Sequence, residues 1–205
     1  MAGMRIGRRS LLAAAGLAVS GQALAQTPGA RPKVTVQTDH GAFVLELADD
    51  KAPITAGNFL RYVDTGRYDG STIYRASRAG GTAPTGLIEG GLQNDPVKLL
   101  PPIAHESTIQ TGLRHVDGTI SMARDAVGTA TADYFICIGD ASYLDAAPNQ
   151  PGDNAGYAAF GRVVDGMDVV RAILMLPTGG VARNPVMQGQ ILDPPVSVAS
   201  MKRAG

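Results

Sequence analysis

Apolar and polar residues alternate over Val34-Thr35-Val36-Gln37-Thr38 and again over Phe43-Val44-Leu45-Glu46-Leu47, with Asp39-His40-Gly41 between them. A period of two puts successive side chains on opposite faces of a pleated strand, so this stretch predicts a β-hairpin. The period changes after Asp49 and Asp50. Pro53 suits the first turn of a helix, where its missing N–H is not needed, and Ala56, Phe59, Leu60 and Val63 recur at spacings of three and four. These residues predict a helix with one apolar stripe, ending around Thr65-Gly66. Beyond it the pattern is strand and turn: residues 72–76, 87–93, 118–124, 134–138 and 158–163 are short strand candidates separated by Gly, Pro, Asp and Asn. A second helix is expected after Asp165, which would cap its first amides, with Val169, Val170, Ile173 and Leu174 on its apolar side. The last strand is expected over residues 196–201.

Seven or eight short strands with two helices point to an antiparallel sandwich or a closed barrel. Periodicity alone does not choose between them, and it says nothing about function.

The N-terminus follows a different logic. Arg5, Arg8 and Arg9 precede the apolar run of residues 11–19, and Ala23-Leu24-Ala25 provides a small-residue exit. That order reads as an export signal over residues 1–25, with Arg8-Arg9 similar to a twin-arginine signal. The apolar run is about half of the roughly 20 residues that span a bilayer as a helix, so no permanent membrane anchor is expected. Residues 26–33, with Pro28, Gly29 and Pro32, read as a linker to one domain over 34–205. A periplasmic or secreted location follows as an expectation. Loss of the signal removes three basic residues and no acid, leaving 15 basic against 18 acidic residues. No basic block survives, so nucleic acid is not an expected partner. Nothing in the sequence asks for an obligate oligomer, and a monomer is expected. Cys137, the single cysteine, lies in the apolar string Tyr134-Phe135-Ile136-Cys137-Ile138 and reads as a small buried hydrophobe.

Familiar reaction motifs are missing. His40, His105 and His115 have no metal-ligand spacing with one another or with Cys137, and read as isolated turn or surface residues. There is no Gly-x-Ser-x-Gly elbow, no phosphate-cradling loop and no dinucleotide fingerprint, and no Ser-His-Asp grouping has local support. Neither a metal nor a cofactor is expected.

Several strings do resemble a known family. Asp50-Lys51-Ala52-Pro53 with Thr55 and Asn58-Phe59 is similar to the first helix of bacterial cyclophilins. Tyr68-Asp69-Gly70-Ser71-Thr72-Ile73-Tyr74-Arg75 resembles the segment that carries that family's catalytic arginine. Leu87-Ile88-Glu89-Gly90-Gly91, His105-Glu106, the Gly118 to Arg124 string, Tyr134-Phe135-Ile136-Cys137 and the Phe160 to Val170 string follow in the family's order. The resemblance implies an eight-stranded antiparallel closed β-barrel capped by two α-helices. It also implies a peptidyl-prolyl cis-trans isomerase whose partners are proline-containing unfolded or flexible chains. Uncatalysed, such bonds exchange over tens to hundreds of seconds, slowly enough to limit folding.

Carried over by position, the resemblance makes Arg75 catalytic and Leu87, Phe135 and Leu144 walls of a proline pocket. Ala123 and Arg124 would flank the groove for residues before the proline, with Glu89, Asp133 and Tyr157 also facing substrate. For Leu87, Phe135 and Leu144, ordinary core packing is the competing reading. The chain departs from the family at four positions: Tyr74 replaces a usual His, Gly86 a pocket Phe, and Glu89 and Asp133 usual Gln residues. A carboxylate at Glu89 would pair with Arg75, orienting it or occupying its donors. The polar, glycine-rich stretch 76–86 and the loop 145–154 are expected as rims of the site. These departures keep open a second reading, a weak or inactive module that binds proline-containing segments as a chaperone.

Overall fold

The period-two segments become strands of one sheet. The computed structural model describes residues 1, 29–80, 84–150 and 153–205. The export signal expected over residues 1–25, Met1 apart, lies outside the described residues, as do residues 26–28 of the expected linker.

The described residues form eight strands: β1 (Lys33–Thr38), β2 (Gly41–Leu47), β3 (Ser71–Arg78), β4 (Gly86–Gly91), β5 (Thr119–Met122), β6 (Tyr134–Ile138), β7 (Ala158–Asp165) and β8 (Ile191–Arg203). They close into an antiparallel barrel in the order β1-β2-β7-β5-β6-β4-β3-β8. Closure pairs every strand on both sides and leaves no open edge. β8 begins five residues before the expected strand, because its first part pairs with β3 opposite Arg75.

Helix α1 (Pro53–Asp64) has Pro53 in its first turn and turns Ala56, Phe59, Leu60 and Val63 inward. No side chain of its own N-cap residue serves it. Instead the carboxylate of Glu106, 8% exposed, accepts from the N–H groups of Ile54 (3.2 Å) and Thr55 (2.8 Å). The first amides of a helix otherwise lack partners, so this distant carboxylate replaces a local cap. Phe59 packs with Tyr68, Tyr134 and Phe160 at ring-centroid distances of 5.1–5.7 Å, joining α1 to the barrel core.

Two expectations are corrected. Besides α1 and the C-terminal helix α3 (Met167–Leu174) there is a third short helix, α2 (Thr108–Thr111). Ser107 and Gln110 close it as a capping box. Asp165 does not cap α3. It ends β7, its carboxylate accepts the adjacent Gly166 N–H at 3.0 Å, and Gly166 occupies the N-cap position. A Cβ on Gly166 would stand 2.5 Å from the Ala42 carbonyl oxygen, at a φ of +74°, so the close approach requires glycine.

Candidate active site

Strand register builds the site. Arg75 pairs with Glu89 across β3 and β4, Glu89 with Phe135 across β4 and β6, and Phe135 with Ser121 across β6 and β5. Opposed residues on neighbouring strands share a face, so these four form one transverse row. The row above it, Ala76–Ile88–Ile136–Ile120, is buried and faces the barrel interior. The Arg75 row therefore lies on the outer wall.

Arg75 is held from two sides. Its NH1 donates to Glu89 Oε2 at 2.6 Å, while Nε and NH2 donate to Gln190 Oε1 at 2.9 and 2.7 Å. The side chain keeps 17% exposure, so the guanidinium is fixed yet still faces solvent. Gln190 belongs to no motif. It arrives from the connection before β8, 115 residues from Arg75, and only barrel closure brings it there.

Beside this group is an apolar cluster distinct from the barrel core. Leu87, Phe135, Cys137 and Ala141 are buried in it, and Ala123, Leu144 and Tyr157 pack against it. Tyr157 meets Phe135 edge-on at 5.3 Å, and the Arg124 guanidinium lies 5.1 Å over the Tyr157 ring. Arg124 also donates to both carboxylate oxygens of Asp153 and to the Gly156 carbonyl, pinning the 153–157 loop to the rim. Cys137 is fully buried, and burial pushes its thiol up to about 12, which leaves it without thiolate character.

On the other flank, Tyr74 donates its hydroxyl to Glu89 Oε1 at 2.9 Å, with Asp133 Oδ2 at 3.3 Å. Asp133 Oδ1 accepts from the N–H groups of Leu92 (2.6 Å) and Gln93 (3.0 Å). Burial raises the Asp133 carboxyl above its ordinary range, and these N–H bonds oppose it. A cavity of about 280 Å³ opens here, lined by Tyr74, Glu89, Ala123, Arg124 and Asp133. Val181, Arg183, Met187 and Ile191 also line it.

Gly86 has a physical reason to lack a side chain. Its φ is +147°, and a Cβ would stand 2.0 Å from the Ser77 carbonyl oxygen. An aromatic residue does not fit this backbone.

All nine expected site residues thus gather on one outer face: Arg75, Glu89 and Phe135 in the row, Leu87, Leu144 and Tyr157 around Phe135, and Ala123, Arg124 and Asp133 along the cavity. One histidine departs from expectation. His115 is neither isolated nor at the surface: it is fully buried, within hydrogen-bonding distance of Asp145 and Ser121. Among the described residues no group of three or more His, Cys, Asp or Glu is placed to hold a metal ion.

A family model described as cyclophilin type peptidyl-prolyl cis-trans isomerase/CLD matches residues 33–196. A peptidyl-prolyl cis-trans isomerase of Acinetobacter baylyi is 33% identical, covering 95% of this chain and 95% of its own. Peptidyl-prolyl cis-trans isomerase B of Escherichia coli is 39% identical over 71% of this chain and 86% of its own. A Cryptosporidium parvum cyclophilin type isomerase, solved in the presence of the dipeptide Ala-Pro, shares the fold. Its TM-score is 0.65 at 17% identity, over 84% of this chain and 99% of that one. With the barrel topology and the match over residues 33–196, the chain belongs to the cyclophilin type peptidyl-prolyl cis-trans isomerase family.

Proposed function

We propose that this protein catalyses cis-trans exchange of X-Pro bonds in unfolded or flexible chains, with Arg75 as the catalytic residue. The observation that carries the reading is the placement of a fixed, partly exposed guanidinium beside the apolar cluster of Leu87, Phe135, Leu144 and Tyr157.

Amide resonance keeps the peptide bond planar behind a barrier of about 18–20 kcal/mol. At the twisted transition state the prolyl nitrogen becomes pyramidal and regains a lone pair. A guanidinium already held in place donates to that nitrogen, or to the rotating carbonyl, more strongly than it does in the planar ground state. A preorganised donor of this kind contributes about 3 kcal/mol. The apolar cluster grips the proline ring while the rest of the chain turns, and the cavity beside Tyr74 and Asp133 takes the residues before the proline. No covalent step is required. The leader pattern of residues 1–25 supports action outside the cytoplasm, in aid of proline-limited folding.

A second reading has its own support. Glu89 and Gln190 already engage three of the Arg75 nitrogens, and Gly86 offers no wall to the pocket. Both features suit a module that binds proline segments without turning them over. NMR exchange measurements on a short Ala-Pro-Phe peptide separate the two. Acceleration by the wild-type protein, cut at least about tenfold in a folded Arg75→Ala variant, is the expected result. Binding of the peptide without acceleration would replace the isomerase reading with the binding module.

A further inference from the structure

We infer that His115 is a positioning residue for the proline pocket, setting Phe135 and Leu144 through Asp145 and Ser121. The inference rests on the proposed pocket.

His115 Nδ1 lies 2.7 Å from Asp145 Oδ1, and Nε2 lies 2.9 Å from Ser121 Oγ. A carboxylate only accepts, so Nδ1 carries the proton. In the neutral ring Nε2 then accepts from the Ser121 hydroxyl. Burial holds the imidazole below its ordinary value, which favours that neutral form. The grouping has the order of a nucleophilic triad but not its use. Ser121 and His115 are both 0% exposed, so no substrate carbonyl reaches the hydroxyl.

What the grouping does reach is the back of the pocket. The His115 ring stacks on Phe135 at 5.9 Å with an interplanar angle of 19°, while Tyr157 meets Phe135 edge-on. Ser121 is the cross-strand partner of Phe135. Asp145 follows the 3-10 turn Ser142–Leu144 and is the residue that joins His115 to Leu144. Its Oδ1 also accepts the His115 backbone N–H at 3.0 Å, and Arg114 Nε holds Oδ2 at 2.5 Å. The His115 carbonyl in turn accepts the Ala141 N–H at 3.0 Å. One imidazole, with its own backbone groups, therefore ties the strand bearing Phe135 to the turn bearing Leu144. Two walls on separate elements keep their spacing only while that tie holds.

Such a tie acts on ground-state and transition-state grip alike, so its loss weakens peptide binding with little change in the exchange rate of bound peptide. The test is NMR titration of the Ala-Pro-Phe peptide, with exchange measured at saturation. His115→Leu and Asp145→Ala are each expected to raise the peptide Kd about fivefold and to leave the saturated rate within about twofold. Asp145→Asn keeps an oxygen for both His115 N–H groups and stays close to wild type. Asp145→Ala lies at a half-buried turn and serves even where the core variant fails to fold. Phe135→Ala, measured alongside, reports on the pocket itself. If it weakens binding while a folded Asp145→Ala binds like wild type, the inference is overturned and the pocket stands. A Phe135→Ala with unchanged Kd overturns both.

Discussion

Glu89 lies directly opposite Arg75 across β3 and β4, and its Oε2 accepts from the Arg75 NH1 at 2.6 Å. Both side chains are largely enclosed, at 8% and 17% exposure, so water screens the pair only partly. The contact both aims the guanidinium and occupies one of its donors. In the proposed isomerase these effects oppose each other, since a donor spent on a carboxylate is weaker toward a developing lone pair.

Replacing the charge while keeping the shape separates them. Glu89→Gln keeps one oxygen to accept from Arg75, leaves the Tyr74 hydroxyl to donate to Asp133, and removes the charge assistance. Exchange of the Ala-Pro-Phe peptide is expected to rise about twofold to fivefold, with a stability loss of about 1–2 kcal/mol in urea unfolding. An unchanged or lower rate in a folded variant would show that Glu89 does not restrain Arg75.

Gln190 holds the other side of the guanidinium through a single oxygen. Gln190→Ala frees Nε and NH2 and lets the side chain leave its aim. The saturated exchange rate should fall about threefold to tenfold with little change in peptide Kd, because the lost alignment matters only at the reacting bond. A shift in Kd alone would place Gln190 in binding instead.

Gly86 stands where the family carries a pocket Phe, and restoring that residue is not expected to restore a pocket. At a φ of +147°, with the Ser77 carbonyl oxygen 2.0 Å from any Cβ, Gly86→Phe must shift the β3–β4 ladder. The expected loss is at least about 2 kcal/mol in denaturant unfolding, without a gain in activity. A stable, faster variant would mean that the ladder relaxes without penalty.

Asp133 gives a pH-dependent prediction. Burial raises its carboxyl in the folded protein, so the folded state takes up the proton more readily than the unfolded chain does. Ionised Asp133 therefore costs stability, fully above its folded value and not at all below the ordinary carboxylate range. Asp133→Asn keeps an oxygen for the Leu92 and Gln93 N–H groups and removes the cost. Its Tm should exceed wild type by a few degrees at pH 7, with the gap closing as pH falls toward about 4. A gap that widens on acidification contradicts this assignment.

Much of the barrel is legible in the sequence. Period-two alternation in β1 and β2, Pro53 with its stripe at spacings of three and four, and glycine- and aspartate-rich turns act between near neighbours, where a linear reading works. The ordered strings around Arg75 and Phe135 likewise correspond to adjoining strands, which carry Arg75, Leu87, Glu89 and Phe135. β6 shows the limit of such a reading. All five of its residues are buried, because the barrel core covers one face and His115, Leu144 and Tyr157 cover the other. Burial alone could not tell Phe135, in the outer cluster, from Ile136 in the core.

Tertiary structure alone decided what surrounds those residues. Gln190 reaches Arg75 across 115 positions, Glu106 caps α1 across 51 and 52, and Asp145 meets His115 across 30. Gly86 is explained only by the Ser77 carbonyl on the neighbouring strand. Each of these contacts depends on the register in which the barrel closes. Register is set by the summed packing of eight strands, a quantity that no local window of the chain contains.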